Sequence, residues 1–435
     1  MLPRCCGPPA FWRTCMKNRN FGTICKSVFL VTGLLATQSV LAAGFYLSEV
    51  GTPLSLGTAG VANPTNTLGA DSSWTNPAGM TGLNHDSAVV GLQAVVPFMR
   101  FDSSVATAGG DDGGNAGNAQ PVPSFFYVKA VTDKLRLGFS TAGIIGGGVD
   151  YGDKFVGRYA TSLAELGAVG MSPAIAYKVN DNFSLGAGVS IVYTRFDQDI
   201  AINQSLVGAS DGKLKIVKAD DWGYQPYVGM TWNMTERAML GLVYRAEMDV
   251  ELEGDVKYHN WKLTPNKPPA DDIKIDWNNP QTAKLGLKYR LDASNLLFLS
   301  AGWEDWSRFS KNRLAFKSGA LNPAVTLDRK FDDTWNAGIA LVHVNGSHGI
   351  SVGFDYESSP VDDEHRTFDL AFDEIYKVSL AYAWKGRKDL DFSLGSTVYI
   401  VGDAKIDQTS QGVRAKGKFD TNYVVFLGGT ARYQF

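Results

Sequence analysis

The sequence has no cysteine beyond residue 25. All four of its cysteines, Cys5, Cys6, Cys15 and Cys25, stand in the first 25 of 435 residues. A chain without thiols cannot form stray disulfides in an oxidising compartment. The distribution therefore favours a protein that is exported after a cysteine-containing leader has been removed.

Long apolar runs and clustered charges are missing as well. Beyond residue 43 no run of 18 or more apolar residues occurs, so the sequence predicts no transmembrane helix. Only helices and closed barrels satisfy every backbone polar group in lipid, so a membrane role would require a closed sheet. Charged residues make up 20% of the chain, its net charge is −3, and no basic run suggests a nucleic-acid partner.

The N-terminus has the organisation of a secretory signal peptide. A basic region ending at Lys26 precedes a short apolar stretch, residues 28–41, and a small-residue cleavage site ends at Ala42. We therefore expect residues 1–42 to be the signal peptide. Because the basic region is unusually long, Met16 is an alternative start of the chain.

From about residue 86 onward, apolar and polar residues alternate with the period of a β-strand. The polar positions are mostly Gly, Ala, Ser and Thr, whereas the outer face of a soluble sandwich usually carries many charges. Aromatic residues cluster at the ends of the apolar faces, as in the interfacial girdles of membrane barrels. The clearest alternating segments are 183–194, 283–291, 376–385 and 423–435, and the girdle candidates are Tyr289, Trp303, Tyr356, Trp384 and Tyr433.

The lengths of the connections sharpen this interpretation. Short turns and long polar connections alternate along the chain, which is typical of a barrel with short periplasmic and long external connections. Counting gives about fourteen strands, an even number that returns both chain ends to the periplasm. Residues 86–435 are therefore predicted to form an all-β, transmembrane, antiparallel barrel. The predicted short turns are 132–134, 180–182, 235–237, 292–294, 345–347 and 386–388, and the predicted long connections are 102–121, 146–168, 202–219, 254–280, 305–330, 358–372 and 404–420.

Residues 43–85 do not alternate. They are rich in Gly, Thr, Asn and small apolar residues and include three prolines, Pro53, Pro64 and Pro77. The segment is too apolar for a soluble tail, and barrels wider than about eight strands have room for such a plug. We expect it to form an N-terminal hatch inside the lumen.

Several motifs in this order resemble the FadL-type outer-membrane transport family. Residues 43–47 (AGFYL) and 55–60 (SLGTAG) are followed by 74–80 (WTNPAGM), which contains an Asn-Pro-Ala motif like that of the family's hatch. Residues 157–159 (GRY) and 303–307 (WEDWS) are similar to later family segments and stand in the family's order. The resemblance covers essentially the whole mature chain.

The resemblance implies a fourteen-stranded barrel with a hatch in its lumen. Hydrophobic solutes would bind first at external loops, move to an internal pocket and leave through a lateral opening beside a kink in the third strand. The chain departs from many relatives here, with Gly143, Gly146, Gly147 and Gly148 in place of a Pro-aromatic-Gly stretch. Because glycine in a strand marks a bulge or a bend, these four residues are the predicted kink.

Two groups of residues are candidates for the transport site. In the hatch, Asn76, Pro77, Ala78 and Gly79 are predicted to form a gating turn, and the alternative is that they only anchor the hatch fold. In the lumen, an apolar pocket with a few cations would suit a fatty tail and a carboxylate. An alternative for the cations is pairing with acidic residues of the wall or hatch. The inward-facing candidates for this pocket are Phe298, Phe426, Lys284, Lys288, Arg290, Lys377 and Arg432.

An enzyme is not expected. The five histidines show no zinc-ligand spacing, and no nucleophile and base stand together in the pattern of a catalytic site. No nucleotide motif occurs either. We therefore predict no catalytic residues, no metal and no cofactor.

The expected function is passive uptake of hydrophobic solutes across the outer membrane of a Gram-negative cell. Long-chain fatty acids are the favoured substrate, and aromatic hydrocarbons such as toluene or xylene are the alternative. A function of another class, as a surface adhesin or phage receptor, would use the long loops. The expected partners are the solute and outer-membrane lipid, without nucleic acid, and the barrel is expected to be a monomer.

Overall fold

A computed structural model describes residues 45–46, 52–266, 271–317 and 325–435. The predicted signal peptide, its cleavage site and Met16 lie outside the described residues. The described chain forms one closed antiparallel barrel, because its first long strand pairs with its last, from Ser87 opposite Gln434 to Ala106 opposite Ala415.

Twenty strands make up the sheet in the described part of the chain. They are β1 (Phe45–Tyr46), β2 (Ser87–Ala106), β3 (Gln120–Ala130), β4 (Leu135–Asp150), β5 (Leu163–Lys178), β6 (Phe183–Ile202), β7 (Gly212–Asn233), β8 (Ala238–Arg245), β9 (Met248–His259), β10 (Asp271–Asn279), β11 (Thr282–Arg290), β12 (Asn295–Glu304), β13 (Lys311–Phe316), β14 (Val325–Asp328), β15 (Thr334–Asn345), β16 (His348–Glu357), β17 (Ile375–Arg387), β18 (Leu390–Val401), β19 (Ile406–Ser410) and β20 (Val413–Gln434).

Fourteen of these twenty strands form the closed wall of the barrel. The wall consists of β2 to β8, β11, β12, β15 to β18 and β20, each paired with its neighbour. The strands β9, β10 and β19 continue β8, β11 and β18 at the outer end, and β13 and β14 form a hairpin there. The prediction of a fourteen-stranded all-β barrel is confirmed.

Alternation along each strand separates a lipid face from a lumen face. On β16, Ile350, Val352 and Phe354 are exposed, whereas Ser351 and Asp355, on the opposite face, are buried. Large apolar side chains on the outside of the sheet suit a lipid environment. The predicted girdle residues also lie at strand ends. Tyr289, Trp384 and Tyr433 are at the inner ends, and Trp303 and Tyr356 are at the outer ends.

Short turns join the strands at the inner end, where the sequence predicted them: 131–134, 179–182, 234–237, 291–294, 346–347 and 388–389. Several of the long outer connections are shorter than predicted, whereas the one predicted as 358–372 extends from 358 to 374. For example, β6 extends to Ile202 and β7 begins at Gly212, so half of the predicted connection 202–219 is strand. The apolar pattern weakens where strands leave the membrane, but the backbone pairing of the hairpin continues beyond that point.

The chain from residue 52 to β2 fills the lumen. It contains the helix α1 (Pro53–Gly57), a 3-10 turn (Asn63–Thr65), the helix α2 (Ser72–Thr75) and a second 3-10 turn (Pro77–Gly82). A third short helix, α3 (Trp306–Phe309), lies in an outer connection. Small residues such as Ser55, Ala59 and Ala62 are fully buried against the wall, which gives the barrel the hatch expected from the sequence.

Candidate functional site

The barrel wall is interrupted between β3 and β4. Six residue pairs join these strands, from Ala130 opposite Arg136 to Phe125 opposite Thr141. Above Phe125, β3 continues to Gln120 in pairing with β2, while β4 continues to Asp150 in pairing with β5. The two strands therefore separate and leave a window in the wall.

A β-bulge lies on the β4 side of this window. The register between β4 and β5 shifts between Gly143 and Ile145, so that β4 carries one extra residue there. Bulges bend a strand and increase its local twist. Gly146, Gly147 and Gly148 follow directly and line the opening. The bulge thus falls within the glycine stretch that the sequence predicted as the kink.

Two other segments border the window. The connection after β2 crosses its outer edge, where Ala116 N donates to Met99 O at 2.9 Å and Asp150 N donates to Ala116 O at 2.8 Å. The short strand β1 takes up part of the free edge of β4, because Phe45 pairs with Gly146. The window is therefore framed by backbone from four parts of the chain.

A cavity of about 650 Å³ occupies the window on the outside of the barrel. Its walls include apolar side chains such as Val90, Phe125 and Val169, together with the charged Glu165 and Arg195. A smaller chamber on the lumen side shares some of these walls. The residues common to both are Asn118, Gln120, Val122, Gly146, Gly147 and Gly148, and the inner chamber also touches Val95, Pro97, Met99 and Val424. These shared residues form the wall between the outer cavity and the inner chamber.

The predicted gating turn lies in the middle of the hatch. Asn76 is fully buried, and its Nδ2 donates to Pro64 O at 2.6 Å and to Met230 O of β7 at 3.1 Å. Its Oδ1 accepts from Ala78 N at 3.1 Å and so caps the turn Pro77–Gly82. The carboxamide therefore joins two parts of the hatch to the barrel wall.

Glycines on the lumen face allow the hatch backbone to approach the wall closely. A Cβ added to Gly186 of β6 would lie 2.4 Å from Ala78 N, and one added to Gly353 of β16 would lie 2.4 Å from the carbonyl carbon of Thr58. Both distances are far below van der Waals contact, and the clashing atoms are backbone. The small inward residues noted in the sequence therefore provide the seat of the hatch.

Two of the predicted lumen cations pair with acids of the wall. Lys377 is buried, with its Nζ 3.0 Å from Glu357 Oε2 and 3.6 Å from Asp355 Oδ1. Arg432 lies at the inner end of β20 and donates from Nε to Asp391 Oδ2 at 2.9 Å. Pairing with acids was the alternative stated for these cations.

The other three predicted cations have different surroundings. Lys288 Nζ donates to Thr67 Oγ1 of the hatch at 3.0 Å. Arg290 is exposed at the inner end of β11. Lys284 lines a polar cavity between the hatch and the wall, with Arg245 and Glu304.

The two predicted aromatic residues both point into the barrel, at different places. Phe298 packs against Val61 and Ala62 of the hatch, so it contacts the plug. Phe426 lies beside Tyr399, with ring centroids 4.5 Å apart, on the same side of the lumen as the inner chamber. The structure does not bring these two residues together.

Arg245 was missed by the sequence reasoning. It is 6% exposed, and its guanidinium lies 4.5 Å from the ring centroids of both Trp74 and Tyr227. Nη2 donates to Trp74 O, while Nη1 is buried without a hydrogen-bond partner among the described residues. Arg245 stands two residues after the buried Val243 at the end of β8. Because residues two apart on a strand share a face, this alternation was the signal that could have placed Arg245 in the lumen. Lys284 and Lys377 line the same cavity together with Glu304, so the cavity is lined by three cations and one carboxylate.

Other kinds of site receive no support from the part of the chain that is described. No helix in it is long and apolar enough to cross a membrane. No group of three or more His, Cys, Asp or Glu side chains there is arranged to hold a metal ion.

A closed fourteen-stranded barrel with a lumen hatch, a lipid-facing exterior and a lateral window defines an outer-membrane transport channel for hydrophobic molecules. Sequence comparison agrees, since residues 33–435 match the family described as "Outer membrane protein transport protein (OMPP1/FadL/TodX)". The chain belongs to this family, whose members are transport channels. The FadL resemblance and the outer-membrane location predicted from sequence are confirmed.

Individual relatives are distant in sequence and close in fold. The chain is 20% identical over 440 residues to the long-chain fatty acid transport protein of Escherichia coli (strain K12), covering 92% of this chain and 97% of that protein. The crystal structure of a Pseudomonas aeruginosa FadL homologue has a TM-score of 0.81 at 19% identity, covering 90% and 100%. The P. putida toluene transporter TodX has a TM-score of 0.68 at 17% identity, covering 84% and 94%.

Proposed function

We propose that this protein takes up long-chain fatty acids by passive diffusion and works as a monomer in the outer membrane. The acid enters from the outer loops, binds in the lumen above the hatch, and leaves through the window between β3 and β4 into the lipid. Leu206, 92% exposed in the connection between β6 and β7, offers an apolar first contact outside.

The observation that carries this proposal is the unequal character of the lumen. The side next to the window is apolar, with Val95, Met99 and Val424 around the inner chamber. The polar cavity shares no residue with these walls, and its lining has an excess of positive charge, with Arg245, Lys284 and Lys377 beside the single acid Glu304. A buried guanidinium with an unused N–H favours an anionic group, because charge-assisted hydrogen bonds are the strong ones. A molecule with an apolar tail and one carboxylate matches both parts.

Aromatic hydrocarbon uptake is the second candidate. It is favoured by the likeness in fold to TodX and by the apolar window itself. A hydrocarbon has no group that would use Arg245 and Lys284, and it would leave these cations without a function in binding. The related proteins described as long-chain fatty acid transport proteins favour the first candidate.

Growth experiments separate the two candidates. A deletion strain should lose growth on oleate and keep growth on toluene, and the intact gene should restore oleate growth. Loss of toluene growth alone would contradict the fatty-acid proposal and support the second candidate. Loss of cell or phage attachment without any growth defect would support an adhesin or receptor.

A substitution tests the carboxylate subsite directly. Arg245→Met should weaken oleate binding to the purified barrel by about 10- to 100-fold, the range expected for a lost hydrogen bond to a charged group. Binding of an uncharged alkyl alcohol should change little. Arg290→Met, an exposed arginine at the inner barrel end, is the matched control and should bind oleate normally. Equal oleate affinity in Arg245→Met and wild type would refute the subsite.

A further inference from the structure

A second cavity lies on the periplasmic side of the hatch. It has a volume of about 230 Å³ and is bounded by the hatch on one side and by the inner ends of the wall strands β15 to β18 and β20 on the other. Among the described residues it shares no lining residue with the window cavity. The transport route proposed above therefore does not use it.

The lining of this cavity is mostly apolar. Its wall includes Val342, Val344 and Ala383. On the hatch side, Leu68 contributes a side chain that is 45% exposed, although most of the hatch around it is buried. A large apolar residue left open inside an apolar cavity indicates that the space suits an apolar ligand.

The rim of the cavity carries two cations around one carboxylate. Lys385, Asp391 and Arg432 are register partners across the neighbouring strands β17, β18 and β20. Arg432 is fixed by its Nε bond to Asp391 and by a bond of 2.6 Å from Nη1 to Leu68 O. Lys385 forms no ion pair with any other residue that the structure describes. The rim therefore has a net charge of about +1 at neutral pH.

One further acid reaches this cavity from the hatch. Asp71 is 4% exposed, and its Oδ2 accepts from Asn66 Nδ2 at 2.7 Å. Its carboxylate is thus covered by the hatch, whereas Lys385 is exposed at the rim. The accessible charge at the cavity entrance is the positive one.

We propose that this cavity is a second binding site, open to the periplasm, for a single alkyl chain that ends in a carboxylate. The chain lies against Leu68, Val342 and Ala383, and the carboxylate binds Lys385 beside Arg432. Such a ligand contacts the hatch from below, so the protein has one amphiphile site on each side of its plug. This site stands independently of the substrate proposed for the lumen.

Photolabelling of the full barrel in phospholipid nanodiscs tests the proposal. The probe is palmitate with a photoreactive diazirine in its chain, and mass spectrometry locates the adducts. Labelling is expected on segments 342–351 and 381–392 in addition to the lumen. Ala383→Trp fills the cavity and should reduce labelling of these two segments about tenfold, which corresponds to 1.4 kcal/mol, while lumen labelling persists. Ala337→Trp, on the lipid face of β15, is the matched control.

A second variant keeps the test decisive if the filled cavity disturbs folding. Lys385→Glu changes an exposed side chain and should reduce labelling by palmitate about tenfold without changing labelling by the matching alkyl alcohol. Heat-dependent migration in gels verifies the folded barrel. Labelling that both variants leave unchanged would overturn the site. Competition by a lysophospholipid that exceeds competition by palmitate would overturn the assigned ligand class.

Discussion

The hairpins β3–β4 and β15–β16 are built alike and close the wall differently. Each consists of two neighbouring antiparallel strands joined by a short inner turn. Ten consecutive residue pairs join β15 to β16, from Asn345 opposite His348 to Asn336 opposite Glu357. Six pairs join β3 to β4, and beyond Thr141 the two strands separate. A transmembrane barrel can thus be sealed along one hairpin and open along another.

The difference shows what an opening requires. Unpaired backbone is costly in lipid because no water is present to bond to it. Around the window this cost is reduced by β1, which pairs with β4, and by the connection that carries Ala116. Polar and charged side chains such as Glu165 and Arg195 also line the opening. On the sealed hairpin, the lumen face is in contact with the hatch, because Gly353 leaves room for the backbone of Thr58.

The largest expected effect comes from blocking the open hairpin. A Cβ at Gly167 of β5, which lines the outer cavity of the window, would meet no atom within 4 Å, so this cavity has room for a large side chain there. Gly167→Trp should reduce fatty-acid uptake at least about tenfold, equivalent to a barrier of 1.4 kcal/mol or more. Uptake of radiolabelled oleate by whole cells measures this. Ala337→Trp, on the lipid face of the sealed hairpin, should transport normally, and equal uptake in both variants would argue against the window.

A smaller effect is expected from disturbing the hatch seat on the sealed hairpin. Gly353→Val places a side chain against the backbone of Thr58, and overpacking of this kind typically costs about 1–3 kcal/mol. Thermal unfolding of the purified barrel should shift to lower temperature, and small hydrophilic solutes should leak into liposomes that contain it. Gly167→Val, in open space, is the control and should unfold like wild type. A stable, tight Gly353→Val barrel would mean that the hatch does not depend on this seat.

The smallest effect concerns the turn at Asn76. Asn76→Ala leaves the buried carbonyls of Pro64 and Met230 without this donor, at a cost of about 1–3 kcal/mol. Hydrogen exchange should speed up in residues 63–82 and remain slow in β15 and β16. Pro77→Ala removes no such bond and should have a weaker effect. If uptake is altered in a properly assembled Asn76→Ala barrel, the turn acts as a gate, whereas normal uptake would restrict it to anchoring.

Local patterns explain why the barrel could be predicted and the window could not. Alternation at residues such as Tyr376, Val378 and Leu380 indicates the lipid face directly, so the strands and the short turns were predicted correctly. The separation of β3 from β4 depends on the pairing partners of both strands, which no local pattern records. The glycine stretch 143–148 indicated a bend without showing which neighbouring strand would be lost.

The candidate site was predicted less completely for the same reason. Parity correctly placed Phe298 and Lys377 inside the barrel, but it could not show that the hatch covers Phe298 or that Glu357 pairs with Lys377. Arg245 gains its importance from stacking with Tyr227, its partner on β7, and with Trp74 of the hatch, which lies far from it in sequence. Contacts between hatch and wall determine which inward residues remain free, and these contacts are tertiary.

Reversible closure of the window is the most direct test of the central claim. Val122 of β3 and Gly167 of β5 both line the opening, and the chain has no cysteine after residue 25. The variant with Val122→Cys and Gly167→Cys should lose oleate uptake when a reducible bifunctional thiol reagent links the two positions, and it should recover uptake after reduction. Full uptake by the linked barrel would contradict lateral release through the gap between β3 and β4.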